Sequence, residues 1–418
     1  RNAPRRGQMA RERTWSRRGL LSGCAGAGVV ATAGCLRLTD DSTGTPTDGQ
    51  AGTEAGGSAT TDPTGATPTD APDEPMTAES APEVDLVPAW SGAGSAVAAA
   101  DGDFFVRPRL TRLSRVRTGG TTVFDADIPD GYLASISPTF RNALHADETG
   151  VYVGADARDE VDTGGRVYAL DPESGDERWM YEEPGDGLHD SIRAVTVVDG
   201  TVIYASQSSG SGDDQEPIVR GVDAETGDEQ WRIGLSEGFV NGIVAHGDRL
   251  FVAQTFELYI YRRSTREELE TRRLSTGFSR PVRLGDTLFA PGETVRALTL
   301  PDAEERWAVE TGREVNTTPG VGETGVFVGT ESGFVLGYDR ETGDPLWEGR
   351  APGVVEHPPV VADGLVWIAT ERGDLLAFTE AGGELVYEEE VASGFEFTIQ
   401  DNILNDDERD TAYEIRRG

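Results

Sequence analysis

Few residues in this sequence are of a type that could do chemistry, and their positions limit what they could do. Only two cysteines occur, Cys24 and Cys35, and the four histidines stand at positions 145, 189, 246 and 357. Cys35 ends the segment TAGC, and small residues before a cysteine are typical of a signal-peptide cleavage site that precedes a lipid-modified cysteine. The histidines show no metal-ligand spacing. The sequence therefore predicts lipidation at Cys35 and predicts neither catalytic residues nor metal ligands.

An export signal is predicted before that cysteine. Arg17 and Arg18 directly precede an apolar stretch of 16 residues, Gly19 to Gly34, rich in glycine and alanine. A twin-arginine pair before such a stretch is typical of an export address, and a membrane-spanning helix needs about 20 apolar residues. We interpret residues 1–34 as a leader. An uncleaved membrane anchor remains the alternative.

A tether is predicted after the leader. Residues 35–84 consist mostly of Thr, Asp, Gly, Ala and Pro with few large apolar side chains. Such a segment cannot bury enough surface to offset the entropy of ordering its backbone. We expect it to be disordered and to hold the next domain, residues 85–418, away from a membrane surface, with the lipid anchor on the outer face of the cytoplasmic membrane.

The charge composition points to a saline environment. The chain has 74 Asp and Glu against 37 Arg, and no lysine occurs. In molar salt, repulsion between exposed charges is screened within about 3 Å, so an acidic surface stays soluble. A halophile is the favoured origin, and an ordinary acidic protein is the alternative. The same charge argues against nucleic acid as a partner, because phosphates would be repelled.

A nine-residue motif occurs three times, as DPESGDERW (171–179), DAETGDEQW (223–231) and DRETGDPLW (339–347). Steps of about 40 residues connect its closing aromatic to related positions, with weaker matches at Phe124 and Glu270. The aromatic positions predicted to be structural are Trp90, Trp179, Trp231, Trp307, Trp347 and Tyr387. The aspartate that opens the motif can accept backbone N–H groups, and Gly175, Gly227 and Gly343 can supply the left-handed residue of the turn.

The repeated unit predicts a β-propeller. Each unit also contains an Asp-Gly or similar turn between two apolar segments, which predicts a hairpin. Four short strands in about 40 residues, repeated, are typical of a propeller blade. Eight turns and eight closing strands indicate eight blades, with seven as the alternative. Trp90 stands on a closing strand without strands before it, and the C-terminal residues lack a closing strand, so both ends of the chain are expected to share one blade.

These hairpins resemble the PQQ-like repeat family, which includes quinoprotein alcohol dehydrogenases and the eight-bladed lipoprotein of bacterial outer-membrane assembly. The resemblance covers residues 85–418 and implies an all-β propeller. Dehydrogenases of this family hold their quinone against a disulfide of adjacent cysteines, with Ca²⁺ and an Asp base. The predicted propeller contains no cysteine, so we expect no PQQ and no dehydrogenase activity.

The second and third units are longer than the others, with extra residues 156–165 and 206–217 between their second and third strands. Neighbouring blades would then enlarge one rim, either to bind a partner or through neutral loop growth. We predict an exported, lipid-anchored, non-catalytic binding or scaffold module, monomeric, with an unidentified protein or surface polymer as its partner. The alternative is an enzyme or sensor that binds quinone, sugar or Ca²⁺ in the central channel.

Overall fold

The computed structural model describes residues 84–92, 95–100, 102–128, 131–133, 136–137, 141–157, 164–184, 191–207, 216–236, 238–274, 279–392, 397–406 and 409–418. All of them lie in the unit Met76–Gly418. They form 35 β-strands, and no α-helix occurs among them. We label the four strands of a blade A to D from the central channel outward.

The first four blades follow the chain from the strand that comes after the N-terminal one. Blade 1 contains β2 (Ser95–Ala100), β3 (Asp103–Arg109), β4 (Arg112–Arg117) and β5 (Thr122–Asp127). Blade 2 contains β9 (Leu144–Asp147), β10 (Gly150–Ala157), β11 (Arg166–Leu170) and β12 (Glu177–Glu182). Blade 3 contains β13 (Ser191–Val198), β14 (Thr201–Gln207), β15 (Ile218–Asp223) and β16 (Glu229–Gly234). Blade 4 contains β17 (Val240–His246), β18 (Arg249–Gln254), β19 (Glu257–Arg262) and β20 (Glu267–Arg273).

The other four blades complete the ring. Blade 5 contains β21 (Val282–Leu284), β22 (Thr287–Ala290), β23 (Thr294–Thr299) and β24 (Glu304–Glu310). Blade 6 contains β25 (Gly320–Val321), β26 (Gly325–Gly329), β27 (Phe334–Asp339) and β28 (Pro345–Arg350). Blade 7 contains β29 (Val360–Ala362), β30 (Leu365–Ala369), β31 (Asp374–Thr379) and β32 (Leu385–Glu390). Blade 8 contains β33 (Phe397–Gln400), β34 (Ile403–Asp406), β35 (Thr411–Arg417) and the N-terminal strand β1 (Val84–Ser91).

Closure of the ring by both ends of the chain is confirmed. Strand β1 pairs antiparallel with β35, with Val84 opposite Arg417 and Ser91 opposite Thr411, so the sheet order of blade 8 is β33-β34-β35-β1. Innermost strands of neighbouring blades contact one another, and β33 of blade 8 contacts β2 of blade 1. Eight sheets form the propeller, as the repeat count predicts.

The core lies in layers between neighbouring sheets. In blade 6, Val326 and Val328 pack with Trp307 and Phe289 of blade 5, whereas Phe327 packs with residues of blade 7. Successive side chains of a strand point to opposite faces, and here both faces are covered. This explains why the second strand of a blade is apolar throughout, as in GVFVG and LVWIA.

The antiparallel meander divides the propeller into two faces. The connector face carries the B–C loops and the connectors from one blade to the next. The turn face carries the A–B and C–D turns. The connector between blades 1 and 2 adds three short strands at the connector-face side, β6 (Gly131–Tyr132), β7 (Ile136–Ser137) and β8 (Arg141–Asn142). Strand β6 extends blade 2 beside β10, and β8 pairs parallel with β13 of blade 3.

Candidate interaction surface

The repeated motif forms the C–D turn of its blade. The Asp339 carboxylate accepts the backbone N–H groups of Glu341 and Thr342, both at 2.8 Å. These two bonds, that of Thr342 first, lower the pKa of Asp339 below its usual value. Gly343 has a φ of +77°, a conformation that side chains with a Cβ rarely adopt. Asp171 with Gly175 and Asp223 with Gly227 form the same turn.

The closing tryptophan of one blade docks on the C–D turn of the next. The Trp307 indole N–H donates to the Arg340 carbonyl at 3.0 Å, and a Cβ on Gly343 would lie 2.8 Å from Cδ2 of the indole. The glycine is therefore needed both for its φ and for the space that the ring occupies. The same contact joins Trp347 to Gly383, Trp179 to Gly227 and Trp90 to Gly120, and Phe124 packs on Gly175 without the hydrogen bond.

Arginines replace the indole hydrogen bond at the positions that depart from the motif. Arg115, beside Phe124 in blade 1, donates to the Pro172 carbonyl in the C–D turn of blade 2 at 2.9 Å. In blade 4, Glu270 occupies the position of the closing aromatic residue. There Arg272 donates to the Ala303 carbonyl in the turn of blade 5. At these two junctions, a long arginine side chain makes the link to the next turn that an indole makes at four others.

Two of the predicted aromatic positions have a different environment. Trp231 faces a turn in which Arg266, with a φ of +60°, stands where blades 1, 2, 3, 6 and 7 have glycine, and its ring covers Gly221 of its own sheet. Tyr387 faces blade 8, where strands C and D come from opposite ends of the chain and no C–D turn exists. Its hydroxyl donates to Glu389, and its ring contacts Trp367.

The extra residues of blades 2 and 3 lie on the connector face, with boundaries that differ from those expected. Strand β10 continues to Ala157 and β14 continues to Gln207, so the B–C loops are residues 158–165 and 208–217. Ser206 and Gln207 are fully buried, and Gln207 Oε1 accepts the Val240 N–H at 2.9 Å. They belong to the core because they link blade 3 to blade 4. Residues 158–163 and 208–215 lie outside the described residues.

Exposed apolar side chains stand on the B–C turns on either side of these loops. Leu110 in blade 1 is 43% exposed and Phe256 in blade 4 is 60% exposed. Each has an exposed arginine beside it that forms no ion pair with any described residue: Arg109 precedes Leu110, and Arg273 stands opposite Glu257, the neighbour of Phe256. The connector face thus presents an apolar group next to Arg109 on blade 1, and on blade 4 an apolar group next to the cross-strand pair of Glu257 and Arg273.

A buried ion pair lies between blades 2 and 3 below the same rim. The Arg220 guanidinium donates to both Glu183 oxygens, at 2.6 Å from Nη2 and 2.9 Å from Nε, and both side chains are 1% exposed. Burial raises the pKa of the neighbouring Tyr204 hydroxyl, and the Glu183 charge adds to the shift. A cross-blade pair of this kind fixes the relative position of the two sheets whose loops are longest.

The described histidines lie in three different blades, His145 in blade 2, His246 in blade 4 and His357 before the first strand of blade 7. His145 contacts Asp147 at 3.2 Å, and His246 contacts Asp286 at 3.6 Å, both on the turn face. His357 is buried at the channel, and His189 lies outside the described residues. Within the described ranges, no group of three or more His, Cys, Asp or Glu is arranged to hold a metal ion. Arg17, Arg18 and Cys35 lie outside the described residues, and those that are described include no helix able to cross a membrane.

Sequence comparison decides the family. A sequence model described as outer membrane protein assembly factor BamB matches residues 64–213, 215–291 and 291–399, most of the propeller. The chain belongs to the BamB family. Its resemblance to PQQ-like repeat propellers is thereby confirmed.

Relatives within the BamB family match parts of the chain. BamB of Yersinia pestis is 24% identical over 234 residues, 48% of this chain and 57% of the relative. BamB of Nitrosomonas eutropha is 31% identical over 109 residues, 26% of each chain. The chain thus spans between about a quarter and just over half of the length of these two relatives.

Solved structures share the fold at low sequence identity. The crystal structure of BamB from Moraxella catarrhalis superposes with a TM-score of 0.58 at 15% identity, covering 80% of this chain and 97% of that one. Quinohemoprotein alcohol dehydrogenase from Comamonas testosteroni gives a TM-score of 0.53 at 12% identity, covering 77% and 72%. At these identities the superpositions show the fold alone, and the fold is common to assembly factors and oxidoreductases.

The sequence alone did not single out Leu110, Phe256 or the Arg220–Glu183 pair. An apolar residue inside a two-residue turn, as in QTFE, is a usable signal for Phe256, because turns are otherwise polar. The ion pair has no local signal, since its members are 37 residues apart and in different blades.

Proposed function

We propose that this chain is an exported, lipid-anchored, non-catalytic binding or scaffold module that holds a protein partner through the connector face of blades 1–4. One observation carries the proposal: the exposed apolar side chains of the B–C turns, Leu110 and Phe256, stand in the two blades that flank the enlarged loops. The B–C turns of blades 6 and 7 are short and polar, with sequences TESG and TERG. Exposed apolar groups in an acidic, polar surface are typical of protein-binding sites.

The chemistry of the surface indicates the partner. Arg109 and Arg273 place positive charge beside the apolar groups in a chain of net charge −37. Aromatic and apolar anchors with a flanking arginine dominate the binding free energy of many interfaces. A partner segment with apolar side chains and neighbouring carboxylates fits both parts of this surface. Assembly of proteins at an outer membrane is the role named for the bacterial relatives, and it supports a protein partner here.

The partner surface is tested by charge insertion. Phe256→Asp and Leu110→Asp should each weaken partner capture from native membranes by about tenfold or more. Leu385→Asp is the matched control, because Leu385 is equally exposed, at 43%, but lies on the outermost strand of blade 7. Circular dichroism should show all three variants folded. Equal loss of binding in the control, or no loss in the two test variants, would contradict the proposed surface.

Export and anchoring are tested at the leader. Cys35→Ser should release the protein from the membrane or leave an uncleaved precursor, as detected by fractionation and mass spectrometry. Lysine replacement of both Arg17 and Arg18 should block export, because the receptor reads the arginine pair. Unchanged localisation and mass in these variants would contradict the lipid site and the export signal respectively.

The saline origin has its own test. With a net charge of −37, stability should fall as KCl is lowered from molar concentration to about 0.1 M, where the Debye length grows to about 10 Å. Thermal unfolding at a series of KCl concentrations measures this dependence. A melting temperature that stays constant across the series would contradict a halophilic protein.

A further inference from the structure

At the mouth of the central channel lies an arginine whose side chain has no ion-pair or hydrogen-bond partner among the described residues. Arg280 stands two residues before β21, the innermost strand of blade 5, on the connector face. Its backbone N–H donates to Thr318 Oγ1 of blade 6 at 3.2 Å, and a Cβ on Gly242 of blade 4 would lie 3.1 Å from the Arg280 Cβ. The residue is therefore held between the innermost strands of blades 4 and 6, on the channel wall.

The Arg280 guanidinium forms neither an ion pair nor a hydrogen bond with any described residue, although the chain contains twice as many acidic as basic side chains. Residues 275–278, which precede it and are not described, are Ser, Thr, Gly and Phe and contain no carboxylate. Burial lowers the pKa of Arg280 to about 10, while the side chain keeps part of its accessible surface. Arg280 is surrounded by protein atoms but keeps accessible surface, so it lies in a concave part of the channel wall.

Uncharged residues occupy the equivalent channel position in the blades around it. Arg280 is five residues before the A–B turn of blade 5, and the residues at this distance in blades 3, 4, 6 and 7 are Ala194, Gly242, Thr318 and Pro358. Arg280 is therefore a local charge on a neutral part of the wall.

Two hydroxyl groups adjoin the arginine. Ser279 is 1% exposed, and its Oγ has no hydrogen-bond partner among the described residues. Thr318, 4% exposed, accepts the Arg280 backbone N–H and keeps its own hydroxyl proton to donate. A buried hydroxyl without a partner is destabilising, and a water molecule or a bound ligand can satisfy it.

We propose that Arg280, Ser279 and Thr318 form a carboxylate-binding site at the mouth of the channel. A guanidinium presents parallel N–H donors that match the two oxygens of a carboxylate, and the hydroxyls can donate to the remaining lone pairs. The described residues at the equivalent positions of blades 3, 4, 6 and 7 add no charge that would compete for the carboxylate. The carboxylate belongs either to a small organic acid or to the C-terminus of a peptide.

An internal partner would be the competing explanation. The residue equivalent to Arg280 in blade 8 is Glu396, which lies outside the described residues. If Glu396 neutralised Arg280 across the channel, removing either charge would destabilise the protein. In our proposal, Arg280 is a desolvated, uncompensated cation, so Arg280→Gln should raise the melting temperature of the ligand-free protein by a few degrees, about 2–4 °C.

The binding test uses thermal unfolding at constant ionic strength while KCl is replaced by potassium acetate. The melting temperature of the wild-type protein should rise with acetate and level off, as expected for occupation of a site. Arg280→Gln should shift the acetate concentration at half effect upward by about 10- to 100-fold. Arg283→Gln is the matched control, because Arg283 is exposed in the middle of β21 and its Nε donates to the Gly285 carbonyl. It should respond to acetate as the wild type does.

A second arm separates the two sources of the carboxylate. The tripeptide Gly-Gly-Phe with a free C-terminus and its amidated form are titrated against the wild type and Arg280→Gln. Preference for the free peptide over acetate assigns the site to chain termini, and the reverse preference assigns it to small acids. An equal acetate response in wild type and Arg280→Gln would overturn the proposal. So would a matching loss of stability in Arg280→Gln and Glu396→Gln, since it would mean that these two residues pair with each other.

Discussion

Blades 6 and 7 and blades 2 and 3 are built on the same repeat but differ at one end. The first pair has short B–C turns in which Thr330 Oγ1 and Thr370 Oγ1 accept the backbone N–H groups of Phe334 and Asp374, at 2.9 and 3.1 Å. The second pair carries loops 158–165 and 208–217, and β6 and β8 add to its sheets. All of these additions lie on the connector face, whereas the C–D turns on the turn face keep their motif.

The two faces of the propeller differ in how strongly a change in sequence should affect stability. On the turn face, an aromatic ring or an arginine of one blade contacts the turn of the next, so a change in one turn disturbs two sheets. On the connector face, residues can be added without breaking such links, because loop closure entropy grows only slowly with length. The links between blades described above therefore lie on the turn face, and the binding surface that we propose lies on the other face.

The largest expected effect breaks a docked indole. Trp347 stacks between Phe327 and Phe378, with ring centroids at 5.2 and 5.7 Å, and donates to the Glu380 carbonyl at 2.8 Å. Trp347→Ala should destabilise the propeller by about 3–5 kcal/mol because it leaves a cavity between blades 6 and 7. Trp231→Ala, which removes an undocked indole, should cost less in the same denaturant unfolding experiment. Equal costs would show that docking on the next turn contributes little.

The buried ion pair should come next. Glu183→Gln leaves the Arg220 charge, at 1% exposure, with only the more distant Glu229 carboxylate at 3.9 Å, and should destabilise the protein by about 3 kcal/mol. Replacing the pair by Gln and Met together should recover much of that loss, since the remaining charge is then removed as well. Chemical denaturation of the single and double variants measures both values. A single variant as stable as the wild type would mean that the pair is not buried in solution.

A smaller effect tests the glycine of the repeated turn. Gly343→Ala forces a Cβ to within 2.8 Å of Trp307 at a φ of +77° and should cost about 1–3 kcal/mol. Gly247→Ala is the control, because Gly247 has a φ of +54° with no atom within 4 Å of the added Cβ. The difference between the two variants in unfolding free energy isolates the contact with the indole, and no difference would argue against tight docking.

Shortening a connector-face loop should leave stability nearly unchanged. Deletion of residues 208–215 spares Ser206 and Gln207, which are buried in blade 3. We expect a change within about 0.5 kcal/mol, because these polar residues fall between the repeat strands in the sequence, together with weaker partner capture. A stability loss as large as that of Trp347→Ala would place the loop in the core and contradict the division between the two faces.

The smallest expected effect is the dependence of folding stability on acidic pH when Asp339 is replaced. Hydrogen bonds from backbone N–H groups lower the pKa of Asp339 in the folded state from its ordinary value of 3.8. The ionised carboxylate therefore contributes to folding stability above pH 3.8, and this contribution is lost as the pH falls through the folded-state pKa. Asp339→Asn should therefore be less stable than the wild type at pH 6, and the difference in stability between the two proteins should become smaller below pH 3.8. Thermal unfolding at several pH values measures it, and a gap that is independent of pH would contradict the role of the charge.

The sequence by itself determined the repeat and the closure of the ring. Turn residues and aromatic spacing act locally, so DRETGDPLW and the Asp-Gly hairpins predict strands, turn chemistry and blade number, and an unpaired closing strand at one end predicts a shared blade. Only the tertiary structure decided which groups meet across blades. Arg220 and Glu183, or Arg280 and Thr318, are 37 and 38 residues apart and have no common local pattern. Their contacts depend on how neighbouring sheets stack, a long-range property that no short segment encodes.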